Sequence, residues 1–253
     1  MSVIENKRYL MFKELVNDDV LAFYTKKPFN FNYDVIGLDK REKNYNRIQD
    51  DFDFTFRKVI RSEKQIHESN ICIVTEDNLN EELTGYDGFI TNVKGVALEI
   101  RTADCQSIFL YDPVKKVVGN IHSGWKGTVK RIIASAIEIM TKDLKCNKDD
   151  IMVFFNPSIL GCCFEVDTDV LEVFEEEFKH MDDFIRTGDI KKGKQKYYID
   201  TVALNKKILL DLGIDEDNIY CSDICTKCNH DKYYSYRADG NKAGRNLSLI
   251  CLK

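Results

Sequence analysis

The length, composition and charge of the chain exclude several classes of protein before any motif is considered. Its 253 residues are 43% hydrophobic, which is enough apolar material to bury a sizeable core. Its 37 basic and 42 acidic residues give a net charge of −5, which argues against a protein that mainly neutralises nucleic-acid phosphates. No run of about 18 uncharged apolar residues is present, so the sequence predicts no membrane span. We therefore expect small molecules or other proteins as partners.

The organisation of the chain favours a single domain over residues 1–253. No internal repeat occurs, and no stretch rich in Pro, Gly and Ser is long enough to separate two domains. The first residues mix charges of both signs and build no apolar signal segment, so we expect a cytoplasmic protein. Residues 25–50 are polar, which predicts surface loops before a short amphipathic segment around Ile48, Phe52 and Phe56.

Short segments rich in Val, Ile, Phe and Thr recur from Ile71 onward and predict strands. In chain order these strands are Ile71–Thr75, Gly88–Thr91, Val96–Arg101, Ser107–Tyr111, Val117–Ile121, Ile151–Phe155 and Leu247–Leu252. Apolar residues follow a helical period in three segments: over Gly127–Leu144, after Asp167, and between Asp200 and Gly213. In the last of these, Asp200 suits the N-cap and Gly213 suits the helix end. Many strands with about three helices predict a mixed α/β fold, of α+β character, with layers of sheet and helix.

The nine cysteines and four histidines are the residues most able to carry chemistry. The odd cysteine count fits poorly with a closed disulfide framework, so the thiols would be apolar filler, metal ligands or nucleophiles. His67, Cys105 and His122 lie where predicted strands meet loops, the usual place of functional residues. His180, in a charged helix, and His230, in a polar turn, are more typical of solvated histidines.

His67, Cys105 and His122 allow three interpretations. Two imidazoles and one thiolate would bind zinc and leave one coordination position for water, as catalytic zinc sites do. Alternatively, Cys105 is a nucleophile and His122 its base. The third interpretation is a buried cysteine with two ordinary polar histidines, and spacing along the chain does not decide among the three.

The segment HSGWKG, which contains His122, predicts a tight turn from a strand into a helix. Gly124 and Gly127 free the backbone, and the helix would begin at about Thr128. Its first amides and Lys126 would then form a site for phosphate or another anion. The same glycines are equally consistent with a turn that binds nothing.

Cys221, Cys225 and Cys228 form a C-x3-C-x2-C motif near the end of the sequence. The same spacing holds a [4Fe–4S] cluster in radical enzymes, but too few residues follow here for the barrel of those enzymes. A small zinc site with His230 as fourth ligand would crowd four ligands into one short segment.

Five motifs, in this order, resemble those of the multicopper polyphenol oxidase (laccase-like) family, now regarded as purine nucleoside phosphorylases: TADCQSIFLYDP, NIHSGWKGT, NPSILGCCFEV, CTKC and YSYRADGNKAGR. The resemblance covers most of the chain from about Asn46 onward. It implies an α/β domain like the cysteine hydrolase domain of a bacterial cytotoxin. It also implies one metal ion, usually zinc with copper less favoured, held by His67, Cys105 and His122.

The activity implied by this resemblance is phosphorolysis of adenosine, inosine, guanosine or methylthioadenosine to the free base and ribose 1-phosphate. Adenosine deamination, in which the metal would activate water, is implied as a second reaction. A copper-dependent polyphenol oxidase is an alternative, but four histidines are too few for a multicopper centre. A cysteine hydrolase that uses Cys105 and His122 is another alternative.

The resemblance also indicates further catalytic and substrate-binding residues. Asp104, beside Cys105, would shuttle a proton or orient one of the histidines that bind the metal. Contacts to the purine nucleoside or to phosphate are expected from one glutamine and four cations, namely Arg47, Gln65, Lys126, Arg237 and Arg245. In the family pattern Lys126 replaces an arginine and so loses a planar grip on an oxyanion, and Phe164 replaces a tyrosine.

Overall fold

Two six-stranded sheets form the centre of the fold in the computed structural model, which describes residues 3–253. In chain order the strands are β1 (Val3–Glu5), β2 (Tyr9–Phe12), β3 (Val20–Thr25), β4 (Lys58–Ile60), β5 (Ile71–Val74), β6 (Gly88–Thr91), β7 (Val96–Thr102), β8 (Gln106–Asp112), β9 (Val117–Ser123), β10 (Met152–Phe155), β11 (Glu165–Val166), β12 (Ile185–Lys191), β13 (Lys194–Ile199), β14 (Ile219–Cys221) and β15 (Asn246–Leu252). The first sheet has the order β1-β2-β3-β15-β7-β4 and the second the order β14-β10-β8-β9-β6-β5. β11-β13-β12 form a small third sheet.

Six α-helices lie within the same residues 3–253. They are α1 (Tyr33–Phe52), α2 (Trp125–Val129), α3 (Ile132–Glu138), α4 (Thr168–Glu177), α5 (Thr201–Asp211) and α6 (Tyr236–Asp239). A π-helical turn, Ile139–Asp143, continues α3. Across the described residues, no helix combines the length and the apolar content needed to cross a membrane.

Three apolar cores separate the layers of the molecule. The first lies between α1 and the first sheet, around Phe23 and Ile48. The second lies between the two large sheets, around Leu98 and Phe109. The third lies between the second sheet and α3, α4 and α5, around Ile121. The order of layers is therefore helix, sheet, sheet, helix, and the predicted mixed α/β class is confirmed.

The central strands β8, β9 and β15 are buried at all seven of their positions because they are covered on both faces. In β15, Leu247 and Leu249 belong to the core beside α1, whereas Ile250 and Leu252 belong to the core between the sheets. Successive side chains of a strand point to opposite faces, so a strand covered on both faces carries apolar residues on each face and not only at alternate positions. All seven predicted strands are present, with ends within two residues of those predicted.

The prediction of surface loops over residues 25–50 was wrong, because α1 occupies most of this segment. Ile48 is the only fully buried residue of α1, and Gly37 interrupts the helix with φ 71° and ψ 170°. A helix with so little buried surface leaves only a weak apolar period in the sequence. The strands β1 to β4 were also not predicted.

The prediction of one continuous helix over Gly127–Leu144 was also wrong. α2 begins earlier than predicted, with Gly124 as its N-cap. The chain then turns at Arg131, whose φ of 53° is left-handed, before α3 begins. Val129 before this turn and Ile132 and Ile133 after it keep a helical spacing in the sequence, so the apolar pattern gave no sign of the break.

The other two predicted helices are confirmed. α4 follows Asp167, and α5 follows Asp200, whose side chain accepts a hydrogen bond from the Ala203 amide at 2.9 Å. Gly213 lies just after α5 with φ 84°, a conformation that glycine adopts without a steric penalty.

One end of the second sheet brings distant parts of the chain together. β8 begins just after Cys105, and β9 ends at Ser123, just after His122. The two strands are antiparallel, with Ser107 opposite His122, so Cys105 and His122 lie at the same end of the sheet. β6 begins just after Asp87 and is antiparallel to β9, which places Asp87 at this end as well.

Candidate active site and metal centre

His67, Cys105 and His122 meet at this end of the second sheet. One ring nitrogen from each histidine and the Cys105 sulfur all lie within 4.8 Å of one another. The two imidazole rings are nearly perpendicular, at 82°, and their centroids are 4.8 Å apart. The structure therefore brings together the three residues in which the sequence analysis placed a metal site or a nucleophile.

Asp87 holds both histidines from a fully buried position. Its Oδ1 lies 2.8 Å from Nδ1 of His122 and accepts a hydrogen bond of 3.0 Å from the backbone amide of His67. Its Oδ2 accepts a hydrogen bond of 2.8 Å from the Glu68 amide. Because Nδ1 of His122 faces a carboxylate, Nε2 is the ring nitrogen left for a metal ion or a substrate.

Gly124 allows the close approach of the groups around it. A Cβ atom at this position would lie 3.0 Å from Cδ2 of His67 and 3.4 Å from the sulfur of Cys105. The first distance is tighter than most real contacts of a Cβ atom. A glycine at this position therefore leaves room for His67 and Cys105 to face one another.

The electrostatics of the group favour a thiolate. Burial opposes ionisation of Cys105, but its hydrogen bonds to His122 and His67 prevail and lower its pKa to about 6. Burial likewise opposes the charged form of His122, yet Asp87 and Cys105 raise its pKa to about 9. The surroundings of the metal-free pair therefore favour a thiolate at Cys105 and an imidazolium at His122.

These three side chains suit a transition-metal ion. Imidazole and thiolate are the ligands that zinc and copper prefer, and three protein ligands are the number found in catalytic zinc sites. His67 is exposed and His122 is buried, so the group lies at the boundary between the core and solvent. The residues present could hold one metal ion at this boundary.

A cleft of about 530 Å³ lies beside this group, a volume suited to a small organic molecule. Three aromatic rings and three guanidinium groups line it together with His67, Cys105 and His122; they are Trp125, Phe164, Tyr236, Arg101, Arg237 and Arg245. Aromatic faces stack on planar bases, and guanidinium groups bind carboxylate or phosphate oxygens in pairs. The cleft therefore combines surfaces suited to a planar base with surfaces suited to an anion.

Arg237 and Arg245, both predicted contacts, line the cleft and are anchored in the same way. In each residue Nη1 donates to two backbone carbonyl oxygens. For Arg237 these are the oxygens of Cys163, at 3.2 Å, and Glu165, at 2.9 Å. For Arg245 they are the oxygens of Ala243, at 3.2 Å, and Gly244, at 3.0 Å. This anchoring fixes the guanidinium plane and leaves its other N–H groups for an oxyanion.

Gln65 and Asp104 also line the cleft. Oε1 of Gln65 accepts a hydrogen bond of 3.0 Å from the backbone amide of Arg101. Oδ1 of Asp104 accepts one of 2.7 Å from the Thr226 hydroxyl, and its Oδ2 accepts one of 2.6 Å from the Arg237 amide. The expectation that Asp104 orients a histidine is therefore corrected: its carboxylate is engaged elsewhere, and Asp87 does the orienting.

Arg47 and Lys126, the remaining predicted contacts, are not among the described residues that line the cleft. Nε of Arg47 lies 3.0 Å from Oδ1 of Asp51, one turn away on α1. Lys126 is exposed on α2, with its Nζ 5.6 Å from the centroid of the Trp125 ring. Each side chain therefore lies against its own helix.

Asp87 and Arg101 are site residues that the sequence analysis missed. Asp87 directly precedes β6, a strand buried at all four positions, and an acidic residue beside a buried strand is a signal that could have indicated it. Arg101 was counted as part of a predicted strand. Its side chain lies over the Tyr33 ring, with Cζ 4.4 Å from the centroid, at the edge of the cleft.

Two curated proteins of related sequence carry enzyme names. Purine nucleoside phosphorylase YlmD of Bacillus subtilis (strain 168) is 32% identical over 255 residues, covering 94% of this chain and 90% of that protein. Adenosine deaminase RL5, from an unknown prokaryotic organism, is 30% identical over 197 residues, covering 75% of this chain and 74% of that protein. These names agree with the activities that the motif resemblance implied.

A solved structure has the same fold. The crystal structure of the hypothetical protein YfiH from Bacillus licheniformis superimposes with a TM-score of 0.87 at 27% identity and covers 98% of both chains. A family model described as multi-copper polyphenol oxidoreductase laccase matches residues 27–253, nearly the whole chain. With its motifs, fold and sequence relatives in agreement, the chain belongs to the multi-copper polyphenol oxidoreductase laccase family.

Proposed function

We propose that this protein is a zinc-dependent purine nucleoside phosphorylase that also deaminates adenosine. The observation that supports this most directly is the position of the His67, Cys105 and His122 group at the edge of a cleft with both aromatic and guanidinium groups. The names of two relatives, a purine nucleoside phosphorylase and an adenosine deaminase, support the same substrates. The substrates would be adenosine, inosine, guanosine or methylthioadenosine, together with phosphate.

His67, Cys105 and His122 would hold the zinc ion. When bound, zinc supplies Lewis-acid chemistry, which activates water or polarises a substrate oxygen. Asp87 fixes the orientation of the His122 ring and, through its hydrogen bond to the backbone, the position of His67. The lowered pKa of Cys105 keeps its sulfur in the thiolate form that binds metals.

Phosphate would bind between Arg237 and Arg245. Both guanidinium groups are held by backbone carbonyls, so they bind an oxyanion without losing much side-chain freedom. Arg101 adds a third positive charge to the lining. This positive surface would hold the phosphate nucleophile near the ribose while the glycosidic bond breaks.

Asp104 would act as a positioning residue for this phosphate site. Its carboxylate accepts hydrogen bonds from the Thr226 hydroxyl and the Arg237 amide, so it connects the loop before β8 to the segment that carries Arg237. We therefore assign Asp104 to the placement of Arg237, and the earlier prediction of a proton shuttle gives way to this role.

The base of the nucleoside would bind against the aromatic part of the cleft. Trp125, Phe164 and Tyr236 line the cleft together with the metal-ligand group and supply its aromatic surface. A purine is planar and apolar on its faces, so stacking binds it without selecting one purine strongly. This arrangement is consistent with several purine nucleosides as substrates.

The direct test is incubation of the purified protein with adenosine or inosine and phosphate, followed by chromatography of the products. We expect free base and ribose 1-phosphate from the wild type, and neither product from Cys105→Ala. His230→Gln, which changes an exposed histidine that is not part of the metal-ligand group, should keep full activity. No base release from any purine nucleoside with zinc and phosphate supplied would contradict the proposal.

A cysteine hydrolase is a second candidate, because Cys105 and His122 lie together and their surroundings favour a thiolate and an imidazolium, as in a thiol nucleophile and its base. This candidate requires a free sulfur in the active protein. We therefore expect it to be excluded if zinc protects Cys105 from alkylation in the active state, and favoured if activity persists without metal and ends when Cys105 is alkylated.

Copper is the less favoured metal. Within residues 3–253, the only other cluster of metal ligands consists of four cysteines and contains no histidine. A multicopper oxidase would need several histidine-rich sites. We therefore expect catechol oxidation to be negligible beside nucleoside phosphorolysis.

Three broader predictions accompany this function. We propose that residues 1–253 act as one domain, since the same two sheets border all three cores. A cytoplasmic location stays a prediction from the sequence. A likeness to the cysteine hydrolase domain of a bacterial cytotoxin also stays a prediction.

A further inference from the structure

Four cysteines form a second cluster, which lies next along the chain to Phe164 of the cleft lining. The sulfur atoms of Cys162, Cys163, Cys225 and Cys228 all lie within 4.8 Å of one another. The sulfur of Cys228 lies 3.8 Å from that of Cys162 and 3.4 Å from that of Cys163. Neither the phosphorolysis nor the deamination proposed above uses these thiols.

The two sulfur–sulfur distances at Cys228, 3.8 and 3.4 Å, are close to the edge of a tetrahedral metal site, and no pair in the cluster is more than 4.8 Å apart. With a zinc–sulfur bond of about 2.3 Å, a tetrahedron has sulfur–sulfur edges of about 3.8 Å. A disulfide requires a separation of about 2.05 Å, and all nine cysteines are free in the part of the chain that the structure describes. An iron–sulfur cluster would need its own sulfide and iron atoms between the thiols, for which this spacing leaves too little room.

The backbone around the cluster prepares these thiols for a metal. Cys225 and Cys228 have the C-x2-C spacing of one half of a zinc site. The Ser158 amide donates to the Ile224 carbonyl oxygen at 3.2 Å, and the Ser158 carbonyl oxygen accepts from the Thr226 amide at 2.9 Å. Ser158 forms a parallel bridge with Cys225, which holds the two cysteine-bearing segments side by side.

We propose that Cys162, Cys163, Cys225 and Cys228 bind a structural zinc ion, in addition to the metal ion held at the cleft. Each thiol would release its proton to solvent as its sulfur binds zinc, giving four thiolate bonds and a net charge of −2. Four protein ligands leave no position for water, so this zinc would be structural.

This zinc site would support the wall of the cleft. Phe164, which follows Cys163, lines the cleft, and Arg237 donates to the carbonyl oxygen of Cys163. On the other segment, Thr226 follows Cys225 and donates to Asp104, which also accepts the Arg237 amide. A metal that ties the two cysteine pairs together therefore fixes Arg237 from both sides.

The proposed site differs from the one that the motif indicated. Cys221 lies in β14 and packs against the third core, where burial raises its pKa to about 11. His230 is not part of the cluster. Instead, the vicinal pair Cys162 and Cys163 from a distant turn completes the ligand set.

The test is the zinc content of purified, reduced protein, measured by inductively coupled plasma mass spectrometry. We expect about two zinc ions per chain in the wild type and about one in either Cys228→Ser or Cys105→Ala. The double variant should contain almost none. Cys221→Ala, from the same motif but outside the cluster, should keep about two. About one zinc in the wild type, unchanged by Cys228→Ser, would overturn the proposal.

Cobalt substitution provides a readout that does not depend on recovery of zinc. In Cys105→Ala, Co²⁺ at the four thiolates should give intense thiolate charge-transfer bands and the visible bands of tetrahedral cobalt, and both should vanish in Cys105→Ala/Cys228→Ser. Circular dichroism of each variant distinguishes loss of the site from loss of the fold. A disulfide between Cys228 and Cys162 or Cys163 in freshly purified protein, with no cobalt bands after reduction, would overturn the proposal. The zinc content can be measured whether or not a nucleoside reaction is found. Failure of the structural zinc proposal is therefore distinguishable from failure of the proposed enzyme function.

Discussion

The Nδ1 atom of His122 lies 2.8 Å from Oδ1 of Asp87, and both side chains are buried. The carboxylate fixes the ring so that Nε2 is left for the metal, and its charge strengthens the imidazole as a ligand. The same oxygen accepts the His67 amide, so one buried side chain aligns two of the three candidate ligands. Among residues that are not metal ligands themselves, Asp87 is therefore the position at which a substitution tests the metal site most directly.

Replacement of Asp87 by Asn should weaken metal binding by about 10- to 100-fold, because the amide keeps the shape but loses the charge that supports His122. The dissociation constant measured by competition with a chelator gives this factor. Asp112→Asn serves as control, since Asp112 is equally buried but remote from the ligands. Equal metal affinity in Asp87→Asn and the wild type would contradict the assigned role.

Gly124→Ala should also weaken metal binding, by about tenfold or more, because the new methyl group would lie only 3.0 Å from Cδ2 of the His67 ring. The φ of Gly124, −73°, is allowed for alanine, so the effect would come from crowding and not from backbone strain. Gly127→Ala is the matched control, because its Cβ would have ordinary contacts of 3.4 Å or longer. If both variants bind metal as the wild type does, the crowding explanation is wrong.

Arg237→Ala and Arg245→Ala should each raise the KM for phosphate by about 10- to 100-fold, since a charge-assisted hydrogen bond contributes about 1.5–3 kcal/mol. Arg237→Lys should recover only part of this loss, because lysine lacks the planar fork. Arg47→Ala should leave the KM for phosphate within about twofold of the wild type, because Arg47 lies against Asp51 outside the cleft lining. Steady-state kinetics with varied phosphate will decide, and an effect of Arg47→Ala as large as that of Arg237→Ala would show that the phosphate site lies elsewhere.

In metal-free protein, alkylation of Cys105 should accelerate as the pH rises through about 6, which is the pKa that its two histidines impose on it. An ordinary thiol would show this rise near pH 8.5, because it is protonated below that value. Mass spectrometry of the Cys105 peptide after timed iodoacetamide treatment measures the rate. A half-maximal rate above pH 8 would show that the histidines do not stabilise the thiolate, and added zinc should slow the reaction at every pH.

Much of the fold could be predicted because its central strands are covered on both faces. Segments such as Val96–Thr102 and Gln106–Asp112 contain runs of consecutive apolar residues, which is a local signal. α1 could not be predicted in this way, because it buries little beyond Ile48. The turn at Arg131 was also hidden, since the apolar spacing of Ile132 and Ile133 continues that of the preceding helix.

The sequence by itself determined which residues could form the site. His67, Cys105 and His122 each lie where a strand meets a loop, and local patterns in the sequence reveal where strands end. Only the tertiary structure decided how these residues meet and what surrounds them. The pairing of β6, β8 and β9 brings Asp87 to the histidines, and the bridge at Ser158 brings one cysteine pair to the other across 66 positions of sequence. Such contacts depend on strand register and on packing between distant segments, which no local period in the sequence specifies.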